Sequence, residues 1–298
     1  MKNRAQIRFL PDGRRLHLHD GPIDIVLEAF GPPTGIEAAY RAAADRFVTV
    51  LDELCAELPN LRTPAGLRAP QTHGPVAQRM EAAVAPYADR WFITPMAAVA
   101  GAVSEEILAA MTSAAHLDRA YVNDGGDIAL YLERGHFVAG MIDNPDGGSL
   151  FGSALLEATQ PVRGIATSGW RGRSFSLGIA DAVTVLADRA AMADAAATII
   201  ANAVDLPGHP SISRIPAREL APDNDLGDRL VTQRVGPLKS HDVDQALTAG
   251  VTTATTLLTE GLIRAAALHL WGQTRMVGGL LQLSAQEGTS GDRGLMHA

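Results

Sequence analysis

The chain has one cysteine, few aromatic residues and no excess of basic side chains. Each shortage removes a class of protein. Cys55 has no second cysteine to pair with, so an internal disulfide is excluded. It lies in Leu51-Asp52-Glu53-Leu54-Cys55, a stretch of helical spacing, where it is expected as a small buried apolar residue and not as a nucleophile. Aromatic residues make up 5% of the chain, too few for an aromatic-rich binding surface. The chain has 25 Lys and Arg against 33 Asp and Glu, a net charge of −8. No nucleic-acid partner is expected, because phosphate backbones are held by clustered cations. A local anion pocket, which needs only a few arginines, is left open. No run of 18 apolar residues is read, so no membrane span is expected. Met1-Lys2-Asn3-Arg4 leads into strand-like sequence and not into the apolar core of a signal peptide. These absences point to a cytoplasmic protein.

What is present suits a large core. Apolar residues form 47% of 298 positions, and the abundance of alanine and glycine favours closely packed helices and tightly turned strands. The expected fold is one α+β domain over residues 1–285, antiparallel strands packed with helices, followed by a flexible tail over 286–298. Residues 5–30 read as strand, turn at Pro11-Asp12-Gly13, and strand. A helix capped by Thr34 is predicted over 35–57, a proline-broken connection over 58–76, and helices over 77–89 and 95–114. Strands are predicted over 119–123, 128–133, 136–142, 163–167 and 174–187, with turns at Asp124-Gly125-Gly126-Asp127 and Asn144-Pro145-Asp146-Gly147-Gly148. Asp188 opens a helix to about 204, residues 205–240 read as an extended surface excursion, and a long helix is predicted over 241–271. The helices over 95–114 and 241–271 could pack between subunits, so a homo-oligomer is expected.

Three segments could carry chemistry. In Asn123-Asp124-Gly125-Gly126-Asp127, two glycines permit backbone angles closed to other residues and let a ligand approach the main chain. The same residues also make an ordinary hairpin turn. In Asp194-Ala195-Ala196-Ala197-Thr198, spacing of four puts a carboxylate and a hydroxyl on one helix face. Such hard oxygen donors suit Mg²⁺, although an aspartate near a helix start and a threonine bonded to the preceding turn are equally ordinary. In Thr167-Ser168-Gly169-Trp170-Arg171-Gly172-Arg173, a strand end meets hydroxyls and guanidinium groups, with Arg163 nearby. That is either an anion pocket or a solvated hairpin tip. His17 and His19 share one strand face, a metal pair without a third ligand.

Taken in order, these segments resemble the ApbE superfamily, whose best-known members are FAD:protein FMN transferases. The resemblance runs over residues 95–204. It rests on Tyr121-Val122-Asn123-Asp124-Gly125-Gly126-Asp127-Ile128, Gly140-Met141-Ile142-Asp143-Asn144-Pro145, Ile165-Ala166-Thr167-Ser168-Gly169, Ala182-Val183-Thr184-Val185 and Ala193-Asp194-Ala195-Ala196-Ala197-Thr198. Pro95-Met96-Ala97-Ala98-Val99-Ala100-Gly101-Ala102 and Gly178-Ile179-Ala180-Asp181-Ala182-Val183 are similar to the branch called UPF0280. The resemblance implies a T-fold-like α+β arrangement, Mg²⁺ on Asp194 and Thr198, and FAD or a related flavin or pterin near Asn123, Gly125 and Gly126. Thr167, Ser168, Gly169, Arg171 and Arg173 would hold the anionic part. Asp124 or Asp127 would act as general base or position the ring edge. Where the transferases carry a histidine followed by Asp-Pro, this chain has Gly172-Arg173-Ser174-Phe175-Ser176-Leu177-Gly178. The expected function is Mg-dependent group transfer or hydrolysis on a flavin-, nucleotide- or pterin-like anionic cofactor. The alternatives are a non-catalytic flavin- or pterin-binding protein and a cofactor-biosynthesis enzyme unrelated to flavin.

Overall fold

The computed structural model describes residues 4–66, 72–142, 148–283 and 296–297. The expected turn at 144–147, the Asp143-Asn144-Pro145 motif and the tail apart from Met296–His297 lie outside the described residues. Helices and antiparallel strands alternate irregularly, which is the α+β class. The packing divides the chain into two compact units. The first comprises residues 1–136, 157–165 and 187–195, and the second comprises 137–156, 166–186 and 196–298.

In the first unit, β1 (Gln6–Phe9), β2 (Leu16–Asp20) and β3 (Ile23–Phe30) form a meander. The sequence predicts two strands over this stretch. The third arises because Gly21, at φ 59°, turns the chain between Asp20 and Ile23. Helix α1 (Pro33–Leu61) buries Ala39, Tyr40, Ala43, Phe47, Val50 and Leu54, spaced by three and four, and packs on the later helix Val99–Ala114 as well as on β2 and β3. It starts at Pro33, without the expected Thr34 cap, since proline at the first helical position lacks only an N–H that would have no partner. Cys55 is exposed, a correction to the buried residue expected. It follows Leu54, which is the residue facing the core.

Helix α2 (Pro75–Val84) leads to the segment 95–114, which is not one helix. A 3₁₀ turn covers Pro95–Ala98, and α3 (Val99–Ala114) starts afresh after Ala98 at φ −130°. Pro95–Ala114 is long and apolar enough to cross a membrane by length and composition. Here it packs on α1 and α2, with Glu105 and Glu106 ion-paired to Arg189, Arg46 and Arg79. Strands β4 (Arg119–Asp124) and β5 (Asp127–Leu132) pair directly with each other, and β4 also pairs with β3.

The chain then enters the second unit through β6 (His136–Ile142) and β7 (Leu150–Glu157). Strand β8 (Gly164–Ser168) begins in the first unit, where Gly164 and Ile165 pair with Ala129 and Ile128. The predicted strand 174–187 is correct only for β9 (Ala182–Ala187). Residues 174–181 form a loop whose backbone groups find partners outside the β9 ladder: the Ile179 N–H donates to the Val204 carbonyl and the Ser176 carbonyl accepts the Thr232 N–H. Helix α4 (Ala190–Ala203) carries Asp194 in the first unit and Thr198 in the second.

Residues 205–240 hold more structure than an extended excursion. Strands β10 (Ile212–Pro216) and β11 (Leu230–Val235) pair with each other around a short helix, α5 (Ala217–Leu220). Helix α6 (Ser240–Thr259) is shorter than predicted. Gly261, at φ 75°, ends the helical path, and β12 (Ala265–Leu270) follows with all six residues buried. Alanine and leucine favour helix locally, but β12 pairs with β9 on one side and β13 (Gln273–Val277) on the other. Gly250 allows α6 to approach Val204 and Leu268.

Candidate functional site

Asp194 is positioned by close packing of two helix starts in the first unit. A Cβ on Gly101 would lie 2.5 Å from the carbonyl oxygen of Ala190, so only glycine permits this approach. The first amides of α3 have no partner within their own helix, and Ala98 offers no side-chain cap. Asp194 supplies one from a distance in sequence: the Gly101 N–H donates to its Oδ2 at 3.0 Å. Helix α4 is served in return, as the Ala191 N–H donates to Glu105 Oε1 at 2.9 Å. A negative side chain at a helix N-terminus is also favoured by the helix dipole.

The second carboxylate comes from the β4–β5 hairpin. Gly125 and Gly126, at φ 65° and 112°, make its two-residue turn, and the Gly126 N–H donates to Asn123 Oδ1 at 2.8 Å. Asp124 and Asp127 stand opposite each other in the register, so they share a sheet face. Asp124 is 4% exposed and accepts the Asp24 N–H at 3.2 Å. The Asp127 carbonyl accepts the Ser104 hydroxyl at 2.9 Å, tying the turn to α3.

Burial pushes the Asp194 carboxyl up to about 7. The Gly101 amide pulls it down, the charge of Asp124 raises it further, and the Ala100 amide opposes both. Asp194 and Thr198 both keep partial solvent exposure, so neither is sealed in an apolar interior. The first unit thus contains a largely buried carboxyl, held by helix amides and repelled by a second carboxylate. Such a pair can share a proton or attract a cation.

The remaining expected residues, Thr167, Ser168, Gly169, Arg171, Arg173 and Thr198, belong to the second unit. There the organising residue is one not singled out in the sequence as a site residue, Asp181, which is 8% exposed. Its Oδ1 accepts the Arg171 Nε–H at 2.7 Å and the Trp170 Nε1–H at 3.1 Å, and its Oδ2 accepts the Trp271 N–H at 2.7 Å. Arg171 also lies over the Trp170 ring, 4.6 Å from its centroid. Gly169 is required because a Cβ would strike the Asp181 carbonyl. The Thr167 hydroxyl bonds that of Thr184 at 2.8 Å, and Arg173 lies in an exposed stretch. Arg163 is no part of an anion pocket: its guanidinium donates to the carbonyls of Gln160, Val162, Leu132 and Ala158. His17 and His19 both approach Asp24, at 2.5 and 3.9 Å, but among the described residues no group of three or more His, Cys, Asp or Glu could hold a metal. No local signal marks the Gly101–Asp194 contact, which joins residues 93 positions apart.

A family model described as "AbpE bacteria" matches residues 7–276. The chain belongs to this ApbE family. It is 38% identical over 164 residues to UPF0280 protein MK0206 of Methanopyrus kandleri, covering 55% of this chain and 61% of that protein. It is 34% identical over 186 residues to a UPF0280 protein of Methanosarcina acetivorans, covering 61% and 70%. The chain therefore falls in the UPF0280 branch, and it spans 61% of the Methanopyrus protein's length. Among solved structures, the apo form of the Pseudomonas stutzeri flavinyl transferase ApbE aligns over 92% of this chain and 94% of that one, at 10% identity and a TM-score of 0.46. That likeness is too distant to bear on function.

Proposed function

We propose that this ApbE-family protein catalyses a flavin-related group transfer or hydrolysis, acting on an anionic dinucleotide or similar cofactor. The pairing of Asp124 with Asp194 carries this reading. Two carboxylates with one driven up to about 7 form an arrangement that a divalent cation would relieve. Oxygen donors of this kind suit Mg²⁺, which keeps several waters and takes substrate phosphates as further ligands. Asp124 and Asp194 would hold it, and when bound it would neutralise charge developing on a phosphate. The Gly101 amide holds the Asp194 side chain in place, which supports that role. Asp127, on the same sheet face as Asp124, is the candidate for moving a proton at the reacting group. The glycine turn between Asp124 and Asp127 leaves main-chain atoms open to a flat ring. In the second unit, taken by itself, Arg171 is engaged by Asp181 and the Thr167 hydroxyl by Thr184.

The test is incubation of the full chain with FAD and Mg²⁺, followed by chromatography for FMN-bearing and AMP-bearing products. Mg-dependent product is expected, falling at least about a hundredfold in Asp124→Asn and Asp194→Asn. Mg²⁺-independent flavin binding without turnover would instead favour a carrier. No binding of FAD, FMN or a pterin would refute the flavin-related reading.

A further inference from the structure

The first unit also holds a cavity of about 710 Å³ whose lining includes none of the aspartates discussed above. One wall is the β1–β2 hairpin. Ile7 stands opposite Leu18 and Phe9 opposite Leu16, so these side chains share a sheet face. Helix α1 supplies the other wall with Ile36, Tyr40 and Ala44. Leu16 and Leu18 are buried, yet Ile7 and Phe9 are 39% and 56% exposed. The helix therefore leaves the β1 end of this face uncovered. The walls are tied together at Tyr40, whose hydroxyl donates to the Arg14 carbonyl at 2.7 Å and accepts the Ala29 N–H at 3.2 Å. Its ring also lies against Phe9, with centroids 5.8 Å apart.

The mouth carries a loosely held cation. The Arg14 side chain is 72% exposed, and its ion pair with Glu28 is 3.6 Å long, beyond hydrogen-bond reach. Glu28 is buried and accepts the Tyr121 hydroxyl at 3.4 Å. Arg41, on the same rim, is paired with Glu37 at 2.8 Å. The lining charges are Arg14, Glu28, Glu37 and Arg41; Glu37 and Arg41 engage each other and Glu28 is buried, which leaves Arg14 as the lining charge held only by a long ion pair. A largely apolar cavity of this size with a few placed polar groups has the make-up of a small-molecule site.

We propose that this cavity binds an amphiphile with a hydrocarbon body and a single carboxylate head. The body lies against Ile7, Phe9 and Ile36, and the head pairs with Arg14. A cationic head would meet the exposed Arg14, and of the two lining carboxylates Glu37 is already paired with Arg41 and Glu28 is buried; an uncharged head would forgo the charge-assisted bond. This site is independent of the proposed flavin chemistry.

Titration calorimetry of the full chain with dodecanoate, dodecanol and dodecylammonium, each below its micelle concentration, tests the assignment. Dodecanoate is expected to bind tightest. Arg14→Gln should weaken dodecanoate about tenfold and leave dodecanol unchanged. Ala44→Trp, at a partly exposed position of α1, should fill the cavity and remove binding. Phe9→Asp, at an exposed position, should do the same if the tryptophan variant fails to fold. The proposal is overturned if no ligand gives heat, or if dodecylammonium binds as well as dodecanoate. Undiminished binding in a folded Ala44→Trp or Phe9→Asp protein would also overturn it. So would sedimentation showing self-association that either variant abolishes, because a second copy would then cover the face.

Discussion

Replacing Asp194 by asparagine isolates the charge of this carboxyl, because the amide oxygen can still accept the Gly101 N–H. A carboxyl with an ordinary value of 3.8 is held at about 7 in the folded protein. Below pH 3.8 it is protonated in both the folded and the unfolded chain and contributes nothing to pH dependence. Between 3.8 and 7 the unfolded chain releases the proton that the folded chain keeps, so folding stability falls as pH rises. Above 7 both states are ionised and the loss is complete, at roughly 4 kcal/mol. The asparagine variant lacks this loss. Wild type and variant should therefore be nearly equal in stability at pH 4, and the variant should be the more stable by several kcal/mol at pH 8. At about 2 °C of Tm per kcal/mol, that is a gap of roughly 8 °C, readable by calorimetry across a pH series. Millimolar Mg²⁺ should narrow the gap at pH 8 by stabilising only the wild type. A difference that stays constant from pH 4 to pH 8 would refute the reasoning. A constant deficit of about 1 kcal/mol in the variant would make Asp194 a simple helix cap.

Three further outcomes follow from the geometry. Gly101→Ala places a Cβ 2.5 Å from the backbone oxygen of Ala190; urea unfolding should show a loss of about 3 kcal/mol, since backbone cannot rotate out of the way. Among the described residues, Trp271 is the non-glycine residue with positive φ, at 48°, and it is 43% exposed. Trp271→Asn should raise stability by about 1 kcal/mol in the same assay, because asparagine tolerates this conformation better than a bulky ring. Asp181→Ala removes the acceptor of three hydrogen bonds. It should cost about 3 kcal/mol and red-shift tryptophan emission, whereas unchanged emission would mean that Trp170 and Trp271 are held by other contacts.

Much of the first unit was legible because its signals are local. The period of α1 and the glycine pair at 125–126 fix a helix and a hairpin, and both are present. The segment 95–114 misled because apolar spacing does not report the break after Ala98. That break frees the amides that hold Asp194. The stretch 265–270 misled for the opposite reason: its helix-favouring residues are overruled by two strand partners, one of them far away in sequence.

Charge, composition and the order of short motifs thus determined the fold class and the family by themselves, since each motif is a contiguous stretch whose chemistry travels with it. Tertiary structure alone decided which carboxylates act on each other, that Arg163 and Arg171 are already engaged, and that an apolar cavity opens beside β1. Those outcomes depend on contacts between segments distant in sequence; for Asp194 and Asp181 the close approach is made where a missing Cβ at Gly101 or Gly169 leaves room.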